Sequence, residues 1–181
     1  MTHFTIVPGL GNSGPAHWQS FWEQSLVGAT RLQQRDWDRP LLGDWLAVLD
    51  HHLESCGTQT ILIAHSLGCA LVAHWAAARS DASRVAAAML VGPADVDSPD
   101  HTPPEVRNFA PMPLARLRFP SVVAHSSNDT YVATERAAQF AAAWGSELVD
   151  VGPVGHINSD SQLGDWPAGR AVLARLVVRL G

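Results

Sequence analysis

The chain has no lysine: all twelve of its basic residues are arginine. Schiff-base catalysis and the phosphate-gripping Walker loop both need an ε-amine, so both chemistries are excluded. The arginines are scattered singly, whereas neutralising a phosphate backbone takes a basic cluster, so no nucleic-acid partner is expected. Charged residues make up only 16% of the chain, and 12 basic against 17 acidic side chains leave a net charge of −5.

Cysteine is almost as scarce. Cys56 and Cys69 are too few for a disulfide framework and lack metal-ligand spacing, so they read as two reduced thiols. Long hydrophobic runs are missing too: the longest unbroken one, Val85–Val91, has seven residues, against about 20 for a membrane span. The first basic residue is Arg31, so the start of the chain lacks the charged region of a secretory signal. Together these point to a cytoplasmic protein with no membrane partner.

What is present suits one compact domain over residues 1–181, since a typical domain holds roughly 150 residues. Apolar residues are 46% of the chain, ample for a core, which excludes intrinsic disorder. Six apolar runs read as strands: Phe4–Val7, Thr30–Gln34 (the weakest), Thr60–His65, Val85–Val91, Ser121–His125 and Glu147–Val151. Helical spacing recurs between them, in Trp18, Phe21, Trp22 and Leu26, then in Leu42, Trp45, Leu46, Leu49 and Leu53. It returns around Ala70–Ala78, over Ala133–Trp144 and from about Asp165 to Leu180. Strands alternating with helices imply an α/β fold, a parallel sheet covered on both faces. Five of the seven tryptophans fall at helical core spacing and read as packing, while Trp37 and Trp166 lie near loop ends.

One stretch departs from this rhythm. Gly92–Pro120 spans 29 residues and holds seven of the twelve prolines. Ordinary connections run about 4–6 residues, so an insertion of this length reads as a functional lid or a disordered insertion. As a lid, residues 92–120 would offer Phe109, Met112 and Leu114 to a substrate's acyl group, and a domain without other insertions would prefer short chains.

The run Ile61-Leu62-Ile63-Ala64-His65-Ser66-Leu67-Gly68 is a buried strand breaking into a small-residue helix start. It matches the nucleophile elbow G-x-S-x-G with Ala64 in place of the first glycine. A strained strand-to-helix turn there pushes a serine hydroxyl clear of the sheet. A serine nucleophile needs a base, and the base needs an acid to orient it. Of nine histidines, His51, His52 and His74 lie in helices, and His65 and His125 lie in or at the ends of strands. His156 instead follows the last strand, in Val151-Gly152-Pro153-Val154-Gly155-His156, at the carboxyl edge where parallel sheets place their chemistry. Asp129 follows the fifth strand at the same edge. Ser66, Asp129 and His156 thus keep the chain order of an α/β-hydrolase. Asp95 and Asp97, after the fourth strand, are the competing acids, and Asp160 reads as a solvated loop carboxylate.

Gly9-Leu10-Gly11-Asn12-Ser13-Gly14 after the first strand is a literal G-x-G-x-x-G, with Asp36 22 residues beyond Gly14. That spacing supports a dinucleotide-binding oxidoreductase as a rival. Pro15 argues against it, because the fingerprint helix has begun by the third glycine, where a proline would clash with the carbonyl of Gly11. With Pro15 at the first helical position and Ser13 or Gly14 as cap, the glycines are left as a loop. The amides of Leu10 and Leu67 then form an oxyanion hole.

These segments resemble a known family, the small single-domain serine hydrolases of the retinoblastoma-binding-protein type. The resemblance rests on Val7-Pro8-Gly9 with His17-Trp18, Asp36-Trp37-Asp38-Arg39-Pro40 with Asp44-Trp45, and His65-Ser66-Leu67-Gly68. Its most specific block is Gly155-His156-Ile157-Asn158 leading to Gly164-Asp165-Trp166-Pro167-Ala168-Gly169. Gln162 departs from it, standing where the family pattern has glycine. The resemblance implies an α/β-hydrolase core and a Ser66-Asp129-His156 triad. The expected architecture is a six-stranded parallel sheet in the order 2-1-3-4-5-6. The expected activity is hydrolysis of a small ester, thioester or amide through an acyl-enzyme, with neither cofactor nor metal. Some relatives are known mainly as binding proteins, so a protein-interaction module with a protein partner is the alternative from another class.

Overall fold

The computed structural model describes residues 3–56, 59–79 and 81–181. Six parallel strands, β1 (His3–Val7), β2 (Ala29–Arg31), β3 (Thr60–His65), β4 (Val85–Val91), β5 (Ser121–His125) and β6 (Glu147–Asp150), lie in the order β2-β1-β3-β4-β5-β6. The expected order is the observed one. Burial follows position in the sheet. Every residue of central β3 is buried, whereas edge strand β6 alternates between half-buried and exposed. The weak second strand is shorter than its apolar run, because β2 pairs only with β1, through Phe4, Thr5 and Ile6.

Five helices cover the sheet: α1 (Trp18–Ser25), α2 (Leu42–Ser55), α3 (Leu67–Ala78), α4 (Thr134–Trp144) and α5 (Pro167–Val178). Helices α2, α3 and α4 enclose one core with Leu62, Ala64, Leu90 and Val123, and α1 and α5 enclose the other with Ile61, Ile63, Met89 and Val122. This is the α/β-hydrolase arrangement. Alternate residues of one strand face opposite cores, as a period of two requires. Nine of the twelve residues of α3 are buried, so this helix is apolar nearly all round.

The tryptophans of the helices are buried, as their spacing predicts. Trp166 joins them, stacking near Trp22 and covering Gly169, where a Cβ would overlap its ring. Trp37 is half-buried and meets Trp45 edge-on.

Two local expectations are corrected. Helix α1 does not start at Pro15 with Ser13 or Gly14 as cap. It starts at Trp18, and His17 caps it by accepting the amide of Gln19 at Nδ1, while the Ser13 hydroxyl donates to Gln19 Oε1. The glycine segment is therefore a loop throughout, which removes the helix start that a dinucleotide fingerprint requires. Nor are Phe109, Met112 and Leu114 among the residues that line the cavity at Ser66. Phe109 is 0% exposed, wedged between Trp45 and His74, and its carbonyl accepts from His74 Nε2. Met112 is buried in the same core, and Leu114 is 43% exposed to solvent. The segment is a strap pinned along its length. Arg107 donates to the carbonyls of Val96, Ser98 and Thr102, Arg136 pairs with Asp95 and Asp97, and Trp144 Nε1 donates to the carbonyl of Pro113. Apolar side chains on a long connection gain more by completing the core over α2 and α3 than by standing over a polar cleft.

Candidate active site

Ser66 occupies the break between β3 and α3 with φ 54° and ψ −121°, a sparsely populated conformation that its neighbours enforce. Its amide donates to the carbonyl of Val91 in β4, and its carbonyl accepts the amide of Cys69 in the first turn of α3. Room for this turn comes from two glycines. A Cβ on Gly68 would lie 2.4 Å from the carbonyl oxygen of Val7, and one on Gly9 would lie 2.9 Å from the Cβ of Ser66. Ala64 keeps its place in the ladder between Val7 and Leu90, so its methyl group is accommodated.

The loops after β5 and β6 bring the partners. His156 Nε2 lies 2.8 Å from Ser66 Oγ, and His156 Nδ1 lies 2.9 Å from both carboxylate oxygens of Asp129. A carboxylate only accepts, so Nδ1 carries the proton and Nε2 is left to accept from the serine hydroxyl. The Asp129 side chain is 0% exposed, and it also accepts the amide of Tyr131. The two loops are tied together, since Asn128 Oδ1 accepts from the amide of Gly155 and Ser126 Oγ accepts from that of Val154. Asp95 and Asp97 are instead spent on Arg136, and Asp97 also accepts the amide of Met112. Asp160 is exposed in a 3-10 turn and makes no bond to His156 among the described residues.

The backbone N–H groups of Leu10 and Leu67 make no hydrogen bond among the described residues. Leu10 lines, with Ser66, His156, Tyr131, Asn158 and others, a cavity of about 190 Å3. A second cavity of about 530 Å3 adjoins it, sharing Tyr131, His156 and Asn158. A groove of similar size between β2 and α2, lined by Arg35, Asp44 and His51 among others, lies away from Ser66.

Sequence reasoning assigns no role to several residues of the site. Tyr131 lies over the His156 ring at 4.2 Å, and only its place two residues after Asp129 hints at this. His65, His17 and Asn158 also line the cavity. Burial holds His17 uncharged down to a pKa of about 3, with Arg31 nearby acting in the same direction, and burial likewise keeps His65 well below the usual histidine range. Gln162, the departure from the family pattern, adopts φ 51°, the left-handed conformation that glycine takes freely.

Solved structures of other proteins share the fold. A protein from Pectobacterium atrosepticum assigned as a YdeN-like hydrolase is 33% identical over 99% of this chain and 92% of its own, with a TM-score of 0.87. The ydeN gene product of B. subtilis is 20% identical, covering 98% of this chain and all of its own, with a TM-score of 0.80. Est1E from Butyrivibrio proteoclasticus, 14% identical over 98% of this chain and 88% of its own, shares the fold at a TM-score of 0.73. No curated protein matches the sequence. No helix among the described residues is long and apolar enough to cross a membrane. The serine hydrolase family's sequence profile matches residues 4–175, nearly the whole chain, and the protein belongs to that family.

Proposed function

We propose that the protein is a carboxylesterase-like hydrolase of small esters, thioesters or amides, with Ser66 as nucleophile, His156 as general base and Asp129 as the acid that orients it. The observation that carries this reading is the unbroken hydrogen-bonded line from Asp129 through His156 to the Ser66 hydroxyl. His156 Nε2 takes the Ser66 proton as the oxygen attacks the acyl carbon. The amides of Leu10 and Leu67 stabilise the negative charge that develops on the carbonyl oxygen, an effect of about 3–4 kcal/mol per donor. Protonated at both nitrogens, His156 is stabilised by Asp129 and returns the proton to the leaving group. Water, activated by the same imidazole, then clears the acyl-enzyme. A short acyl group fits the cavity of about 190 Å3 at Ser66, and the adjoining cavity of about 530 Å3 leaves room for the leaving group.

The test is labelling with a fluorophosphonate followed by mass spectrometry, together with nitrophenyl esters of graded chain length. A single adduct on Ser66, absent from Ser66→Ala, is expected, with the highest turnover on acetate to butyrate. Labelling that persists in Ser66→Ala would remove the assignment. A folded wild-type protein inert to every probe would favour the protein-interaction module.

A further inference from the structure

We propose that His65 is a positioning residue: its imidazole grips the backbone of residue 156 while the adjacent Ser66 engages the side chain of that same residue. The proposal rests on the reading of Ser66 and His156 given above.

His65 Nε2 lies 2.9 Å from the carbonyl oxygen of His156, and both groups are buried. A carbonyl only accepts, so Nε2 carries the hydrogen and the bond fixes the tautomer of His65. The grip falls where the chain is most contorted. Gly152, Gly155 and Ile157 all have positive φ, 83°, 69° and 54°, and for the β-branched Ile157 that conformation is a true outlier. Such a backbone persists only when contacts over-determine it. The carbonyl of Ile157 is held at 2.7 Å by the indole N–H of Trp18, and the amide of Gly155 is held by Asn128. His65 and Trp18 therefore hold consecutive carbonyls, and the His156 imidazole lies between Asp129 and Ser66.

The His65 ring has no freedom to turn. It meets the ring of His17 edge-on at 4.8 Å, that of Trp18 at 6.2 Å and that of His156 at 4.9 Å. His17 is itself anchored by the amide of Gln19. A histidine that stays uncharged in this setting donates without placing a second cation against His156.

Two substitutions separate positioning from support. His65→Leu keeps the volume and removes the donor, and His65→Gln places an amide N–H where Nε2 stood. With nitrophenyl acetate, His65→Leu should lower kcat about ten- to hundredfold with KM within about twofold, as expected for a misdirected base. His65→Gln should recover most of the loss. In protein carrying 15N-labelled histidine, the low-field resonance of the His156 Nδ1–H should broaden in His65→Leu and return in His65→Gln. Wild-type kcat in a folded His65→Leu would overturn the proposal, as would a loss that His65→Gln does not rescue. Failure of both His65→Leu and His65→Met to fold would also overturn it, leaving His65 a role in stability alone. If the wild-type protein takes no fluorophosphonate label, the Ser66 reading fails, whereas a labelled wild type with an unmoved His65→Leu rate fails the positioning role alone.

Discussion

The α-carbon of Gly68 and the carbonyl oxygen of Val7 stand so close that a methyl group on Gly68 would lie 2.4 Å from that oxygen. The Pro8 carbonyl oxygen would lie at 2.8 Å. The end of β1 is thus pressed against the first turn of α3, and the loop that follows carries Leu10 to the cavity at Ser66. The elbow and the glycine loop form one backbone contact.

Gly68→Ala should force the end of β1 away from α3. Overpacking of this kind costs about 1–3 kcal/mol, and displacement of the Leu10 amide should cut ester turnover about a hundredfold. Thermal melts and nitrophenyl acetate kinetics on the same preparation check both effects.

Asp129→Asn should lower kcat by about 10,000-fold with the fold intact, because the amide leaves His156 in the wrong tautomer. Asp97→Asn weakens the strap's tie to Arg136 of α4 and its bond to the amide of Met112, so it should lower the melting temperature and change turnover far less. If Asp97→Asn proved the more damaging to turnover, the acid would belong to the loop after β4.

Phe109→Ala should act on stability. The ring is fully buried against Trp45 and His74, and removing such a side chain costs about 3–5 kcal/mol. Urea unfolding should record that loss. The ratio of butyrate to acetate turnover should stay near the wild-type value, and a marked change in that ratio would restore the lid.

Acid should destabilise the fold through His17. Folded, it stays neutral down to about pH 3, whereas unfolded it takes up a proton near its ordinary value of 6.5. Between those values the unfolded chain binds more protons, so stability is fully present above pH 6.5 and is lost as pH falls toward 3, by about 1.4 kcal/mol per pH unit. His65, also held low by burial, adds to the same slope. His17→Asn keeps an acceptor suited to the helix cap and removes the titrating group, so its stability should fall less steeply between about pH 7.5 and pH 5 in urea titrations.

Local chemistry made much of the molecule legible. Apolar runs set the strands to within a few residues, since a buried strand needs continuous apolar side chains whatever its neighbours are. Strand–helix alternation implied a parallel sheet, and the resemblance of the motif blocks implied its order. Ser66, Asp129 and His156 stood out because each follows a strand at the same edge of the sheet. The burial of Phe109 was not legible, because the destination of a long connection depends on which surface is left uncovered, and Phe109 fills a gap between α2 and α3 that exists only once both helices have docked. His65 stood in a motif block without a role, and Tyr131 was marked only by its nearness to Asp129 in the chain. As residues they are a strand-end histidine and a loop tyrosine, and their contacts with His156 arise only when β3, β5 and β6 converge. Sequence thus determined which groups are candidates for chemistry and which edge of the sheet they reach. The tertiary structure alone decided which of them touch, because distances between loops far apart in the chain are set by the packing of the strands and helices beneath them.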